Sequence, residues 1–189
     1  MKVKEYVRLA TISPTMTKEF ENFKKNIFVH TLKWEGVADI NKGGNLHNVA
    51  GDTGGYTLWG IAYNHGKDMF DNFDDFKDTT YNEAAAIAFI RYYRAIQAFV
   101  LPASAQLMYF DMAYNMGSMR AIKIMQKCAG VGADGVIGPV TREKMKFVTE
   151  DCLYQERTKF YNQLVVANRK MGKFLKGWLN RTVAIFKIN

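Results

Sequence analysis

Apolar residues recur along most of this chain at the three- and four-residue spacing of a helix. Phe20, Phe23, Ile27, Phe28, Thr31 and Leu32 fall on one face, and with Thr17 and Glu21 at the start and Gly36 as a stop they predict a helix over about residues 18–35. Helices are also predicted over about 61–67 and 81–99, the second with Asn82 as a cap and Glu83 in its first turn, ending at Pro102. The next, near 103–116, stops at Gly117, and Ser118 caps another over 119–129 that Gly130 closes. After the tight turn Gly132-Ala133-Asp134-Gly135, the pair Gly138-Pro139 opens a long helix over 139–170, and a last helix covers about 171–185. Residues 1–16 read as an irregular or extended leader. No strand run of convincing alternation occurs outside residues 36–60, so the fold class is all-α.

Residues 36–60 differ in kind. They hold Gly36, Gly43, Gly44, Gly51, Gly54, Gly55 and Gly60, seven of the chain's 15 glycines, with Asp39, Asn41, Asn45, Asn48 and Asp52 adding turn chemistry. A long aperiodic stretch inside a helical protein is usually either functional or disordered. Tyr56, Trp59 and Ile61 near its end argue that this one is anchored.

Charge narrows the partners only a little. The formal net charge of +8 favours anionic surfaces: nucleic acid, acidic membrane or the carboxylate-bearing bacterial wall. The basic residues are scattered and no nucleic-acid recognition motif is present, so no nucleic-acid partner is expected. No run approaches the roughly 18 apolar residues of a membrane span, so no stable membrane insertion is expected. The N-terminal residues show no apolar segment followed by a small-residue cleavage site, so a substrate outside the cytoplasm requires another export route. Cys128 and Cys152 admit a disulfide, but two small buried hydrophobes are the favoured reading. His30, His47 and His65 have no ligand spacing with them, and neither a metal nor a cofactor is expected.

Glu35 is the first candidate for chemistry. A carboxylate at the C-terminal end of an apolar helix faces the negative end of the dipole, and partial burial beside Trp34 would raise its pKa toward that of a general acid. The ordinary reading of such a Glu is a solvated helix end. Asp52 precedes Gly54-Gly55, where the backbone turns sharply and a ligand can approach; its ordinary role is turn formation. Glycoside hydrolysis needs two carboxyl groups flanking the bond, and Glu35, Asp52 and the nearby Thr57 would supply one wall of such a cleft. Tyr56, Trp59, Tyr63 and Tyr114 offer sugar-stacking faces, although most aromatics at helical spacing are core.

The stretch Trp34-Glu35-Gly36 followed by Asp52-Thr53-Gly54-Gly55-Tyr56-Thr57-Leu58-Trp59-Gly60-Ile61 resembles the E-G-G … D-x-G-G-x-T-x-x-G-I signature of glycoside hydrolase family 108. Phe110-Asp111-Met112-Ala113-Tyr114-Asn115-Met116-Gly117 and Asp134-Gly135-Val136-Ile137-Gly138-Pro139-Val140-Thr141 resemble the peptidoglycan-binding domain that follows in that family. The resemblance implies a lysozyme-like helical fold of two packed lobes with a Gly-rich active-site loop. It places a muramidase part over 18–105 and a wall-binding part over 106–185, with 1–17 as the leader. It implies cleavage of the β-1,4 bond between N-acetylmuramic acid and N-acetylglucosamine, with Glu35 as catalytic acid and Asp52 and Thr57 positioning the attacking water. Gly54, Gly55, Tyr56, Trp59, Tyr114 and Asn115 are then the substrate-binding candidates, with peptidoglycan as partner and a monomer as the expected state.

The match has departures. Val37 stands where the family has a second glycine, and Asn41–Asn48 lengthens the loop, which makes Asp39 a rival to Asp52. Asp111 and Asn115, four apart on one helix face, either brace the core or line the cleft. The alternative from another class is a non-catalytic wall-binding or secretion-associated protein on the same scaffold.

Overall fold

Ser13 starts the helix that leads to Glu35. In the computed structural model, which describes residues 1–48 and 53–188, its hydroxyl accepts the Met16 amide at 3.2 Å and Pro14 takes the first helical position. Helix α1 (Val3–Ala10) precedes it, and helix α2 (Pro14–Phe23) widens into a π-helical turn over Lys24–Phe28 before resuming as α3 (Val29–Lys33). The predicted apolar face is the buried one: Phe20, Phe23, Ile27, Phe28, Thr31 and Leu32 are all shielded from solvent. The i→i+5 period of the π turn brings Phe23 and Phe28 into a stack at 5.6 Å. The helix starts at Ser13 rather than Thr17 because the serine, not the threonine, supplies the cap.

The expectation of an irregular leader over 1–16 is corrected. Val3, Tyr6 and Ala10 are buried along one face of α1, which packs on the helix over Tyr81–Ala88. Lys2 ties the start of α1 down, donating to the Phe70 carbonyl at 2.7 Å and pairing with Asp71 at 2.9 Å. Three buried positions in an eight-residue helix make too short a period to stand out among Lys2, Lys4, Glu5 and Arg8.

The Gly-rich stretch folds into a small antiparallel sheet, β1 (His47–Asn48), β2 (Tyr56–Leu58) and β3 (Ile61–Ala62), with β2 central. His47 pairs with Thr57, and Thr57 with Ala62. Helices α4 (Tyr63–Gly66) and α5 (Phe73–Lys77) follow, so the helix expected over 61–67 begins with a strand. Helix α6 (Tyr81–Ala88) is capped by Thr80 and Glu83 in a reciprocal box, not by Asn82. Its alanines 84–86 and 88 are buried, which lets it pack closely. It continues as a π-helical segment over Phe89–Arg94, whose Phe89 meets Phe20 and Phe23 at 5.3 Å each.

The chain divides into two units, Met1–Arg91 and Tyr92–Asn189. In the second, α7 (Ala103–Met116) is the central element, with Leu107 to Ala113 all buried, and Gly117 at φ +91 ends it as expected. Helix α8 (Ser118–Cys128) then begins with Ser118 inside the helix rather than as its cap.

The single helix expected over 139–170 is two. Helix α9 (Pro139–Met145) stops, Val148 turns inward, and Thr149 caps α10 (Glu150–Ala167) by accepting the Cys152 amide at 3.3 Å. Helix α11 (Gly172–Phe186) closes the unit against α10 and α7. The favoured reading of the cysteines is also corrected: Cys128 and Cys152 form a disulfide joining the end of α8 to the first turn of α10. Partners 24 residues apart in sequence carry no local signal of pairing.

Candidate active site

Glu35 stands where α3 ends. The Leu32 carbonyl accepts from the Glu35 amide at 2.9 Å and the Val37 amide at 3.1 Å, and Gly36 between them has φ +82. This is a left-handed closing turn, and its hydrophobic clasp is Leu32 with Val37, both buried. The half-buried Glu35 is therefore held at the negative end of a helix, beside a Trp34 that is 40% exposed. Val37, the departure from the family pattern, completes the clasp.

The loop comes back to this turn. Gly36 faces Asn45, and Gly44 lies so close on Leu58 and Trp59 that a Cβ there would stand 2.6–2.8 Å from their side chains. The Asn45 carbonyl and His47 Nδ1 are 2.9 Å apart, and His47 is the strand partner of Thr57. A short series of contacts thus links the Glu35 turn to the half-buried Thr57 at the centre of the sheet.

A second clamp holds the double glycine. Asn64 donates its side-chain amide to the Thr53 carbonyl at 2.9 Å, and its backbone amide donates to the Gly54 carbonyl at 3.0 Å. Gly55, at φ +67, leaves no space for a Cβ, which would meet Asn64 Nδ2 at 2.8 Å. Asn64 escaped notice in the sequence because an Asn near a helix start reads as an ordinary cap.

Tyr56 is 43% exposed, with its ring against Phe73 at 5.0 Å. Tyr63 packs on Phe73 and Phe76, both at 5.1 Å. The stacking role expected of Trp59 is corrected: the ring is 3% exposed, and its indole N–H donates to the Thr79 carbonyl at 2.7 Å. Trp59 also has φ +55, so the turn after β2 aims the ring into the core.

Of the two rival carboxylates, Asp39 caps the turn Ile40–Lys42, one oxygen accepting the Asn41 amide at 3.0 Å and its side-chain amide at 3.1 Å. Asp52 lies outside the described residues. A cleft of about 310 Å³ borders the loop at Ile40, walled by Glu21, Lys24, Lys25, Val29 and Tyr81; Glu35 is not among its walls. Among the described residues no group of His, Cys, Asp or Glu is arranged to hold a metal ion.

Tyr114 and Asn115 belong to the second unit. Tyr114 is half-buried against Tyr92 and Phe110, at 5.0 and 5.5 Å, and Asn115 accepts the Tyr161 hydroxyl at 2.7 Å. Asp111 braces the core. It is fully buried and receives Arg157 at 2.8 Å and Arg181 at 2.7 Å, tying α7 to α10 and α11. Burial alone pushes its pKa up; the two guanidiniums outweigh this and hold it below the usual carboxylate value.

Residues 28–117 match the family model described as glycosyl hydrolase 108. This part of the chain, a little under half of it, is similar to that family. Residues 120–183 match the predicted peptidoglycan domain, so a family 108 region is followed by a wall-directed one, as the motifs implied. The family 108 match contains Glu35, the sheet and Asn64, and extends through α7 into the second unit. The two matches together describe a peptidoglycan-acting glycosidase family.

The fold is similar to a solved structure titled "Structure of Brucella abortus SagA", with 24% identity over 83% of this chain and 92% of that one, and a TM-score of 0.63. No curated protein matches the chain in sequence. The D-G-x-x-G-P-x-T stretch over 134–141, inside the match to the predicted peptidoglycan domain, has a structural account in this chain. Buried Gln126 donates to Asp134 Oδ1 at 2.7 Å and the Val136 carbonyl at 3.0 Å, and accepts the Gly135 amide at 2.8 Å, which clamps the turn onto α8.

Proposed function

We propose that the protein is an N-acetylmuramidase, hydrolysing the β-1,4 bond between N-acetylmuramic acid and N-acetylglucosamine with Glu35 as general acid. The observation that carries this reading is the placement of Glu35: half-buried, at a helix C-terminus, in a turn whose backbone is fixed by Leu32, Gly36 and Val37. Protonated Glu35 donates to the leaving glycosidic oxygen, and a water attacks the anomeric carbon from the opposite face. Thr57 and Asp52 position that water. Asp39 is the weaker partner because one of its oxygens is engaged in capping.

Gly54 and Gly55 bring backbone close to the sugar, and exposed Tyr56 supplies a stacking face. In the second unit, Tyr114 and Asn115 are sugar contacts of their own. The enzyme works as a monomer on the wall, in the periplasm or outside the cell, and the disulfide suits an oxidising compartment of that kind.

The chemistry of the released ends tests the bond assignment. Purified peptidoglycan is digested, the fragments are reduced with borohydride and the sugar alcohols are identified by mass spectrometry. Reduced N-acetylmuramic acid is the expected product. Reduced N-acetylglucosamine, or anhydro ends, would assign a different bond or a different reaction.

A further inference from the structure

A cavity of about 240 Å³ opens on the second unit between α8 and α10, lined by Arg120, Lys123, Ile124, Lys127, Ala133 and Phe160. Four of these come from one face of α8 at the 120, 123, 124, 127 spacing that aligns side chains along a helix. Three walls are cationic and three are apolar. Arg120 lies 6.0 Å from the Phe160 ring centre, near enough for a cation–π contact.

The nearby acids offset this charge only in part: Asp134 acts electrostatically on Lys123, while among the described residues no acid pairs with Arg120. Glu156 is shared between Lys127 at 3.9 Å and Lys159 at 3.4 Å. Asp134 is engaged by Gln126 and the Val136 amide, at 2.7 and 2.8 Å. The walls are also held in place: the disulfide joins Cys128, next to Lys127, to Cys152, one turn before Glu156, with the two Cα atoms 5.7 Å apart.

We propose that this cavity is a binding site for the carboxylate end of a short peptide with small aliphatic side chains, as carried by peptidoglycan stems. The proposal rests on the reading of peptidoglycan as the partner. The cations meet the carboxylate, and Ile124, Ala133 and Phe160 take a methyl group beside it. The volume is below that of pockets that enclose drug-sized ligands, which suits the end of a peptide better than a sugar strand. Peptide capture here would hold the enzyme on cross-linked wall while its chemistry proceeds elsewhere in the chain.

The test is titration of the full chain with a synthetic stem pentapeptide ending in D-alanyl-D-alanine, as the acid and as the C-terminal amide, by calorimetry and by amide shifts across residues 120–133. Saturable binding of the acid is expected, weakened roughly tenfold by amidation and at least tenfold by the double change Arg120→Ala with Lys123→Ala. Both side chains are exposed, so the variant keeps its fold. Hydrolysis of peptide-free glycan strands by that variant should stay at the wild-type rate. Equal binding of acid and amide, equal binding by variant and wild type, or no saturable binding below about 10 mM would overturn the proposal. The hydrolysis arm reads the muramidase assignment separately: a wild type that binds peptide but leaves glycan strands intact fails that assignment alone.

Discussion

Gly36 faces the side-chain amide of Asn45 so closely that a Cβ at residue 36 would stand 2.9 Å from Asn45 Nδ2. The same glycine has φ +82, so position 36 is restricted both by its conformation and by its neighbour. Gly36→Ala is therefore expected to destabilise the fold by about 1–2 kcal/mol and to displace Glu35. Denaturant titration together with hydrolysis of peptidoglycan checks this. The loss in kcat should exceed what the unfolded fraction explains.

Asp111 carries the charge balance of the second unit. Asp111→Asn removes the buried carboxylate that Arg157 and Arg181 share and should cost about 3–5 kcal/mol in unfolding free energy. The pH dependence has a definite sign. The folded pKa lies below the unfolded value of 3.8, so the stabilisation is full above that value and is lost as pH falls through the folded one. The stability gap between wild type and Asp111→Asn should be constant near neutral pH and shrink below about pH 4, which unfolding curves at stepped pH would show.

Trp59 and Tyr56 separate structure from binding. Trp59→Phe removes the hydrogen bond to the Thr79 carbonyl and should cost about 1–3 kcal/mol of stability with KM unchanged. Tyr56→Ala, at a 43% exposed ring, should raise KM with a smaller stability change. Thermal melts and steady-state kinetics on the two variants distinguish these outcomes.

The disulfide should contribute about 3 kcal/mol, as expected for closing a loop between residues 24 apart. Unfolding with and without reductant measures it. The double change Cys128→Ser with Cys152→Ser should match the reduced wild type.

The sequence made the helical frame largely legible. Phe20 to Leu32 kept a clear helical period, and Pro102 and Gly117 punctuate the chain, so α7 lies where its pattern placed it. Elements set by tertiary packing were harder to read. The break between α9 and α10 has no proline or glycine; its marker is Thr149 followed by Glu150 and Asp151, a cap signal inside an otherwise continuous pattern. The small sheet is too short for alternation to register. At the site, Glu35 and Gly36 were legible as a helix end, whereas the role of Asn64 depends on the turn it clamps. Trp59 looked like a sugar platform because its position beside Tyr56 does not reveal that φ +55 turns its ring inward.

Glu35 as the proton donor is tested by turnover of purified peptidoglycan with Glu35→Gln, which keeps the side-chain shape and removes the acid. A fall of at least about a hundredfold in released muropeptides, with wall binding retained, is the expected result. Hydrolysis by Glu35→Gln at the wild-type rate, or a wild type that binds the wall without cutting it, would contradict it.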